Sequence, residues 1–463
     1  MTYAVFPPLD ESIVRARLAD VGFGTDVVER YRKLERDANR SLDEGGVARD
    51  GRRTWIVPGR IEVLGKHVDY AGGRSLLCTV ERGIVVVARP REDRKMVMRD
   101  ARRRESLVIS LEPSPYPSSQ TPLPWSVYPR TVARRLMHNF GDLNGADMAL
   151  ASNLPPAAGV SSSSALVVGL TLAVSAINDL ALTPRWQESL VPRTNLAGYV
   201  GALENGLDFG ALAGERGVGT LGGAQDQTAI LCCAPGKLDV FGWAPVRQER
   251  EVSWPDNYVF VIGVSGVVAA KTGAVRERYN RVARTAHHIV DAWNARGGSA
   301  RTLYEAFVEA GGGEPAEVPA ALLNATRDAA NDEFTRDRLE ARLRQFHAET
   351  WQHVPRAAEA IAQRDFEQFS SIVAASQRGA EAALENQIPE TIQLVSIARE
   401  LGAVAASAFG AGFGGSVWSM VAQEDAERFA SRWRDRYLKL FPQAANRMQV
   451  IETRPSAPAF EAI

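Results

Sequence analysis

Apolar and polar positions alternate in three different textures along the chain. Residues 10–50 are charged, with apolar positions at helical spacing, and read as a surface helical lead-in. From Trp55 the texture changes: TWIVPGRIEVLG is β-branched and closes on glycine, the pattern of a strand entering a turn. SLLCTVERGIVVVARP continues in the same manner, and REDRKMVMRDARRRESLVISLE alternates charge with apolar residues, as a solvent-facing antiparallel hairpin does. Residues 112–124 are proline-rich and predict a loop. Helical periodicity returns over 126–140, ADMALASNLPP reads as a strand ending in a proline turn, and AAGVSSSSALVVGLTLAVSAIND as a small-residue loop opening an apolar helix. After a break at LTPRW, residues 186–206 are helical; NYVFVIGVSG, near 257–266, is a buried strand. From about 270 to 400 the chain is mostly helical around a linker at 311–319, then AFGAGFGGSVWSMV is glycine-rich and strand-like, and 424–441 is helical. No internal repeat interrupts this succession, which predicts an α+β architecture and not a regular βαβ winding.

At 463 residues the chain is long enough for two domains. Hydrophobic residues make up 45% and charged residues 24%, an ordinary globular balance. A formal net charge of −1 gives no electrostatic footprint for nucleic acid or an anionic membrane. The cysteines are Cys78, Cys232 and Cys233, an odd set with two neighbours and no disulfide framework, so a reducing, cytoplasmic setting is expected. Neither a signal-like apolar run at the start nor a span of membrane length is read from the sequence.

Four segments carry candidate chemistry, each with a plain structural alternative. NLPPAAGVSSSSAL, 153–166, allows a backbone to approach a ligand closely and offers free N–H groups at a helix start to phosphates; it equally describes a serine-rich turn capping a buried helix. It lacks the lysine of a Walker loop. FGAGFGGSV, 409–417, clusters Gly410, Gly412, Gly414 and Gly415, for ligand approach or for a tight turn against another backbone. VPGRIEVLGKHVDYAGG, 57–73, sets Arg60, Lys66, His67 and Asp69 around a strand-to-loop transition; such directional groups suit a hydroxyl-rich ligand, or a salt-bridged surface turn. TLGGAQDQTAILC, 220–232, puts Asp226 after a Gly-Gly turn, as a functional carboxylate or a helix cap.

Together, in this order, the four segments resemble the galactokinase family of the GHMP kinases. PGRIEVLGKHVDYAGG stands where that family has PGR(V/I)NLIGEHTDY followed by glycines; PPAAGVSSSSA matches its P-x-G-x-G-L-S-S-S-A; GAGFGG is unchanged; GGAQDQ matches the segment with its catalytic aspartate; RYNRVAR supplies Tyr279 in its YNxR context. The resemblance covers nearly the whole chain. It implies two α+β domains, 1–245 and 246–463, with the active site in the cleft between them, and transfer of the γ-phosphoryl group of ATP to a sugar hydroxyl, with C1 favoured. Asp226 is implied as base or orienter for the acceptor, with Arg60 beside it to favour the ionised carboxylate and neutralise developing charge. The implied nucleotide set is Ala158, Gly159, Val160, Ser161, Ser162, Ser163, Ser164, Gly412 and Gly414, with Ser163 and Glu204 at Mg2+. His67, Asp69, Tyr279, Gly223 and Lys66 are implied at the sugar. The expected partners are therefore ATP, magnesium and a monosaccharide; monomer and homodimer both stay open.

Departures from the pattern concern the acceptor. At Lys66 the family has a glutamate that accepts a hydrogen bond from the sugar's C6 hydroxyl, whereas lysine only donates. Lys66 thus suggests a C6 carboxylate, as in galacturonate; alternatively it turns to solvent or pairs with Glu62 and the acceptor is neutral, galactose included. Glu62 replaces the family's asparagine and Val68 its threonine, while Gln377 and Ile392 replace a histidine and an aspartate. Some relatives of this type bind sugar and ATP only as regulators; the intact serine loop, Asp226 and Arg60 argue for catalysis.

Overall fold

In a computed structural model of the chain, residues 11–112, 125–156, 158–267 and 273–462 are described. The expected proline-rich loop lies, from residue 113 on, outside the described residues, as does Ala157 of the serine loop. Helices and two sheets share the chain, in agreement with the α+β reading. The first sheet contains β1 (Arg53–Leu64), β2 (Arg74–Pro90), β3 (Lys95–Asp100), β4 (Glu105–Ser110), β5 (Ala146–Ser152), β6 (Lys237–Trp243) and β7 (Val246–Ser253). The second contains β8 (Tyr258–Val264), β9 (Ala405–Phe409), β10 (Ser416–Ala422) and β11 (Gln449–Thr453); a last strand, β12 (Phe460–Glu461), returns to the first. The first sheet runs β12-β1-β2-β5-β3-β4, with β6 on the far half of β2 and β7 on β6. The second is antiparallel in the order β11-β8-β10-β9.

The continuous apolar run GIVVVARP is explained by burial on both faces of β2. Side chains alternate across a strand, so Val85 and Val87 pack with Val27, Val28 and Tyr31 of helix Thr25–Glu44, whereas Ile84, Val86 and Ala88 face the helix Ser162–Ile177. The charged lead-in thus carries one apolar stripe (Val27, Val28, Tyr31, Leu34, Ala38, Leu42) that covers a sheet. One core passes from the first sheet into the second, joining Val57, Ile61 and Val86 to Phe260, Ile262, Trp418 and Met420. The opposite face of the second sheet packs on helices Pro389–Glu400 and Ala426–Leu440 through Leu394 and Trp433.

Two features were absent from the sequence reading. The β6–β7 hairpin turns at residues 244–245, so both its strands stay with the first sheet. β12 pairs with β1 through Trp55 and Ile56, and the Arg53 guanidinium binds Glu461 at 2.6 Å. Among the described residues no helix is long and apolar enough to cross a membrane.

Candidate active site

β1 carries the site's first two groups. Residues two apart on a strand share a face, so Arg60 and Glu62 both reach a cavity while Ile61 and Val63 enter the core. That cavity measures about 580 Å3, the range of small-molecule sites. Its wall is shared by the loop after β1, the serine loop, helix Gln225–Cys232, Tyr279 and the glycine loop after β9.

Arg60 links these parts. Its Nε donates to Asp226 Oδ1 at 2.8 Å, its Nη2 lies 2.7 Å from the same oxygen, and its Nη1 donates to the Gly159 carbonyl at 2.5 Å. Asp226 stands in the first turn of its helix without capping it. The backbone donors there go to Asp69 instead: Oδ2 accepts from Gly223 N at 3.1 Å and Gln225 N at 3.4 Å. A Cβ on Gly223 would fall 2.6 Å from that Asp69 oxygen, which explains the glycine.

The serine loop ends at an uncapped helix start. Ser161, in the left-handed region at φ 61°, makes no side-chain cap, and its buried Oγ finds no hydrogen-bond partner among the described residues. The first helical bond is Ala165 N to Ser161 O, so the N–H groups of the first turn are left for a ligand. The glycine loop closes on it: Gly410, at φ 79°, would place a Cβ 3.0 Å from the Gly159 carbonyl, and Ser416 Oγ donates to Ala158 O at 2.5 Å. Ala158 and Val160 are buried; Gly159, Ser161, Ser162, Ser163, Ser164, Gly412 and Gly414 line the cavity.

Ser164, not Ser163, reaches the carboxylates: its Oγ lies 3.1 Å from Glu204 Oε2 and 3.4 Å from Asp226 Oδ2. Glu204 also accepts from Gln227 Nε2 at 2.5 Å. Two carboxylates and serine hydroxyls form a hard-oxygen set that fits magnesium, which keeps few protein ligands and takes the rest from phosphate and water.

The turn carrying Lys66, His67 and Asp69 is held from outside. His67 adopts φ 56°, unusual for a side-chain-bearing residue, while Arg342 Nη2 donates to its carbonyl at 2.6 Å. Gln345 Nε2 donates to Lys66 O at 3.1 Å, and Glu349 Oε2 accepts from Gly65 N at 2.9 Å. His67 Nε2 contacts Ala411 O at 3.1 Å; a carbonyl only accepts, so this nitrogen carries the proton. Its ring lies 5.5 Å from that of Tyr279, whose hydroxyl pKa is pushed up by burial.

Of the readings of Lys66, the geometry fits the pairing with Glu62 and not a side chain turned to a ligand. Lys66 is buried and is not among the cavity-lining residues. Its ammonium donates to Ala408 O and lies 4.0 Å from Glu62 Oε1. Burial pushes its pKa down, and burial also pushes the Glu62 carboxyl up to about 7 against the pull of Lys66 and Arg60. Gln377 braces the same corner, its Oε1 accepting from Ala408 N and Ser407 Oγ, both at 2.9 Å. Ile392 sits in helix Pro389–Glu400 away from the cavity lining.

The sequence reading did not single out Trp125 and Tyr128, which line the cavity beyond the serine loop with Ile84, Leu150 and Leu154, or Arg102 and Arg103 near that end. Their signal was PWSVYP, an aromatic pair at a helix start. Cys78 and Cys233 are buried free thiols whose pKa burial raises, consistent with a core role.

Three family models match the chain: GHMP kinases N terminal domain over residues 127–233, GHMP kinases C terminal over 357–439, and a galactokinase galactose-binding signature over 46–90. The first contains the serine loop, Glu204 and Asp226; the second contains the glycine loop; the signature contains Arg60 to Asp69. A galactokinase of Streptomyces coelicolor is 32% identical over 186 residues, which are 39% of this chain and 42% of that protein, so the match spans less than half of the relative's length. The crystal structure of Lactococcus lactis galactokinase complexed with galactose matches with a TM-score of 0.73 at 20% identity, over 92% of this chain and 99% of that one. Methanococcus jannaschii mevalonate kinase matches with a TM-score of 0.52 at 13% identity, over 87% and 98% of the two chains. At these identities the structural likeness speaks to the fold alone.

Proposed function

We propose that this chain, a GHMP kinase carrying that family's N- and C-terminal domains and a galactokinase galactose-binding signature, transfers the γ-phosphoryl group of ATP to a galactose-type monosaccharide. The hydroxyl at C1 is the proposed acceptor. The observation that carries this reading is the Arg60–Asp226 pair, set between an uncapped helix start and a turn rich in polar side chains.

In this reading Asp226 orients the attacking hydroxyl and takes its proton, with Arg60 favouring the ionised carboxylate. The backbone from Ala158 to Ser164 cradles the phosphates, with Gly412 and Gly414 opposite, and the apolar end at Trp125 and Tyr128 receives the base. Glu204 with Ser163 or Ser164 would hold magnesium, which when bound neutralises charge on the phosphates. His67, Asp69, Tyr279 and Gly223 shape the sugar end. The buried ammonium of Lys66, engaged with Ala408 O, supports a neutral acceptor over the galacturonate suggested by its sequence position. Strand pairing supports dividing the chain after Ser253, and not at 245/246, with β12 returning to the first body.

The test is ADP release with Mg-ATP against galactose, galacturonate, glucuronate, N-acetylgalactosamine and arabinose. Sugar-dependent release is expected, strongest on galactose. ATP binding with no turnover on any sugar would point instead to a regulator. The same assay checks Gly223: because a Cβ there must displace Asp69 and the Tyr70 backbone, Gly223→Ala is expected to raise the sugar KM about tenfold to a hundredfold with little change for ATP.

A further inference from the structure

The chemistry at Glu62 is not used by the mechanism above. Its side chain is 3% exposed, yet it lines the cavity. One oxygen is committed: Oε2 accepts from Gln225 Nε2 at 2.6 Å, and Gln225 is itself held by the Ser75 hydroxyl, which donates to its Oε1 at 2.8 Å. Trp243 Nε1 in turn donates to Ser75 Oγ at 3.1 Å, and of the two acceptors of the Ser75 proton Gln225 Oε1 is nearer than Gly65 O at 3.2 Å, which favours this orientation of the Gln225 amide. The other oxygen, Oε1, makes no hydrogen bond among the described residues; its neighbour is the Lys66 ammonium at 4.0 Å. A buried carboxylate oxygen without a donor is costly, and such a group at a cavity wall is a place where a ligand supplies the missing donor.

The charges around Glu62 decide what kind of ligand group fits. Arg60 on the same strand is neutralised by Asp226 across the cavity. Lys66 lies 4.0 Å from Glu62 Oε1 and feels the charge of Glu349, the latter held by Gly65 N and Ser376 Oγ. Lys66 is already engaged by Ala408 O and Glu62, so among the described residues this corner offers no free cation to a ligand. An incoming carboxylate would find no free cation and no donor among them, whereas a hydroxyl would donate to Oε1 and complete its hydrogen bonding.

Resting on the kinase reading above, we propose that Glu62 is the specificity-determining residue for the acceptor: its Oε1 accepts a hydrogen bond from a ring or exocyclic hydroxyl of a neutral galactose-type sugar, and Lys66 is its buried counter-ion and not a reader of substrate carboxylate. The carboxylate that the galactokinase pattern has at position 66 is thereby supplied from position 62.

Glu62→Gln gives the test a definite sign. Gln225 Nε2 requires an acceptor, so the new amide turns its oxygen to Gln225 and presents its NH2 to the cavity, replacing an acceptor by a donor. Galactose and galacturonate binding to the full chain is measured by titration calorimetry, and KM and kcat by ADP release, for the wild type, Glu62→Gln and the double variant Glu62→Asn with Lys66→Glu. The expected results are galactose binding without galacturonate binding in the wild type and weakening of galactose by about tenfold or more in Glu62→Gln, chiefly in KM. Recovery is expected in the double variant. One of the 2-, 3-, 4- and 6-deoxygalactoses is expected to bind wild type and Glu62→Gln alike, identifying the hydroxyl concerned. Unchanged galactose affinity in Glu62→Gln, absence of galactose binding, or preferred binding of galacturonate overturns the proposal. Galactose binding that depends on Glu62 without ATP-dependent turnover overturns the kinase reading and leaves the assignment of Glu62 standing.

Discussion

Asp226→Ala is expected to lower kcat by about 10²- to 10⁴-fold while ATP binding stays nearly unchanged. The carboxylate's contacts include Arg60, through Oδ1, and the Ser164 hydroxyl, through Oδ2. Its loss also leaves the Arg60 guanidinium, 4% exposed, without its ionic partner, so the alanine variant is expected to melt earlier. Asp226→Asn separates the two effects. The amide oxygen still accepts from Arg60 and fills the same volume, so most of the thermal stability returns while turnover does not. Single-turnover ADP release, a fluorescent nucleotide titration and thermal melts measure the three quantities. Residual turnover with lost nucleotide binding would move Asp226 from the acceptor to the nucleotide.

Arg60→Met is expected to cost about 10²- to 10³-fold in kcat and, unlike Asp226→Ala, to raise the KM for ATP as well. The second effect follows from Nη1, which holds the Gly159 carbonyl at the point where the glycine loop closes on the serine loop. Without it the loop that would cradle the phosphates keeps only the longer backbone bond from Arg60 N to Val160 O, at 3.3 Å, as its hydrogen bond to this residue. Arg60→Lys keeps the charge but not the fork that serves Asp226 and Gly159 together, so partial rescue of kcat with little rescue of the ATP KM is expected. Steady-state kinetics with ATP varied at saturating sugar check this; an unaltered ATP KM in Arg60→Met would mean that the serine loop holds its shape without Arg60.

Much of the site was legible because its chemistry is encoded in contiguous segments. PGRIEVLGKHVDYAGG, the serine run, GGAQDQ and GAGFGG each have a local backbone reason: a strand delivering alternate residues to one face, a helix start with free donors, glycines where two loops meet. The strands were legible where burial on one or both faces writes a pattern, as in GIVVVARP, and not where it does not. β7, VRQEREVS, is largely exposed, and β12 has only two residues; their places are set by pairing with β6 and β1, which no local pattern records.

The helical stretch from 336 to 353 illustrates the same limit inside the site. Arg342, Gln345 and Glu349 clamp the backbone of the turn that carries Lys66 and His67, although nothing in their own segment marks them as more than helix surface. Ser164 took the contact to Glu204 because the helix start rotates it inward, a matter of phase that spacing alone does not resolve.

The sequence by itself determined the fold class, the order of the candidate ligand-binding segments and the pairing of residue types suited to phosphoryl transfer, because these depend on local pattern and residue chemistry. Only the tertiary structure decided where the charge of Lys66 goes. An ammonium on a flexible stem is directed by whichever acceptors the fold brings within reach, and here these are the Ala408 carbonyl from β9 and the Glu62 carboxylate from β1, so that Glu62, and not Lys66, faces the cavity.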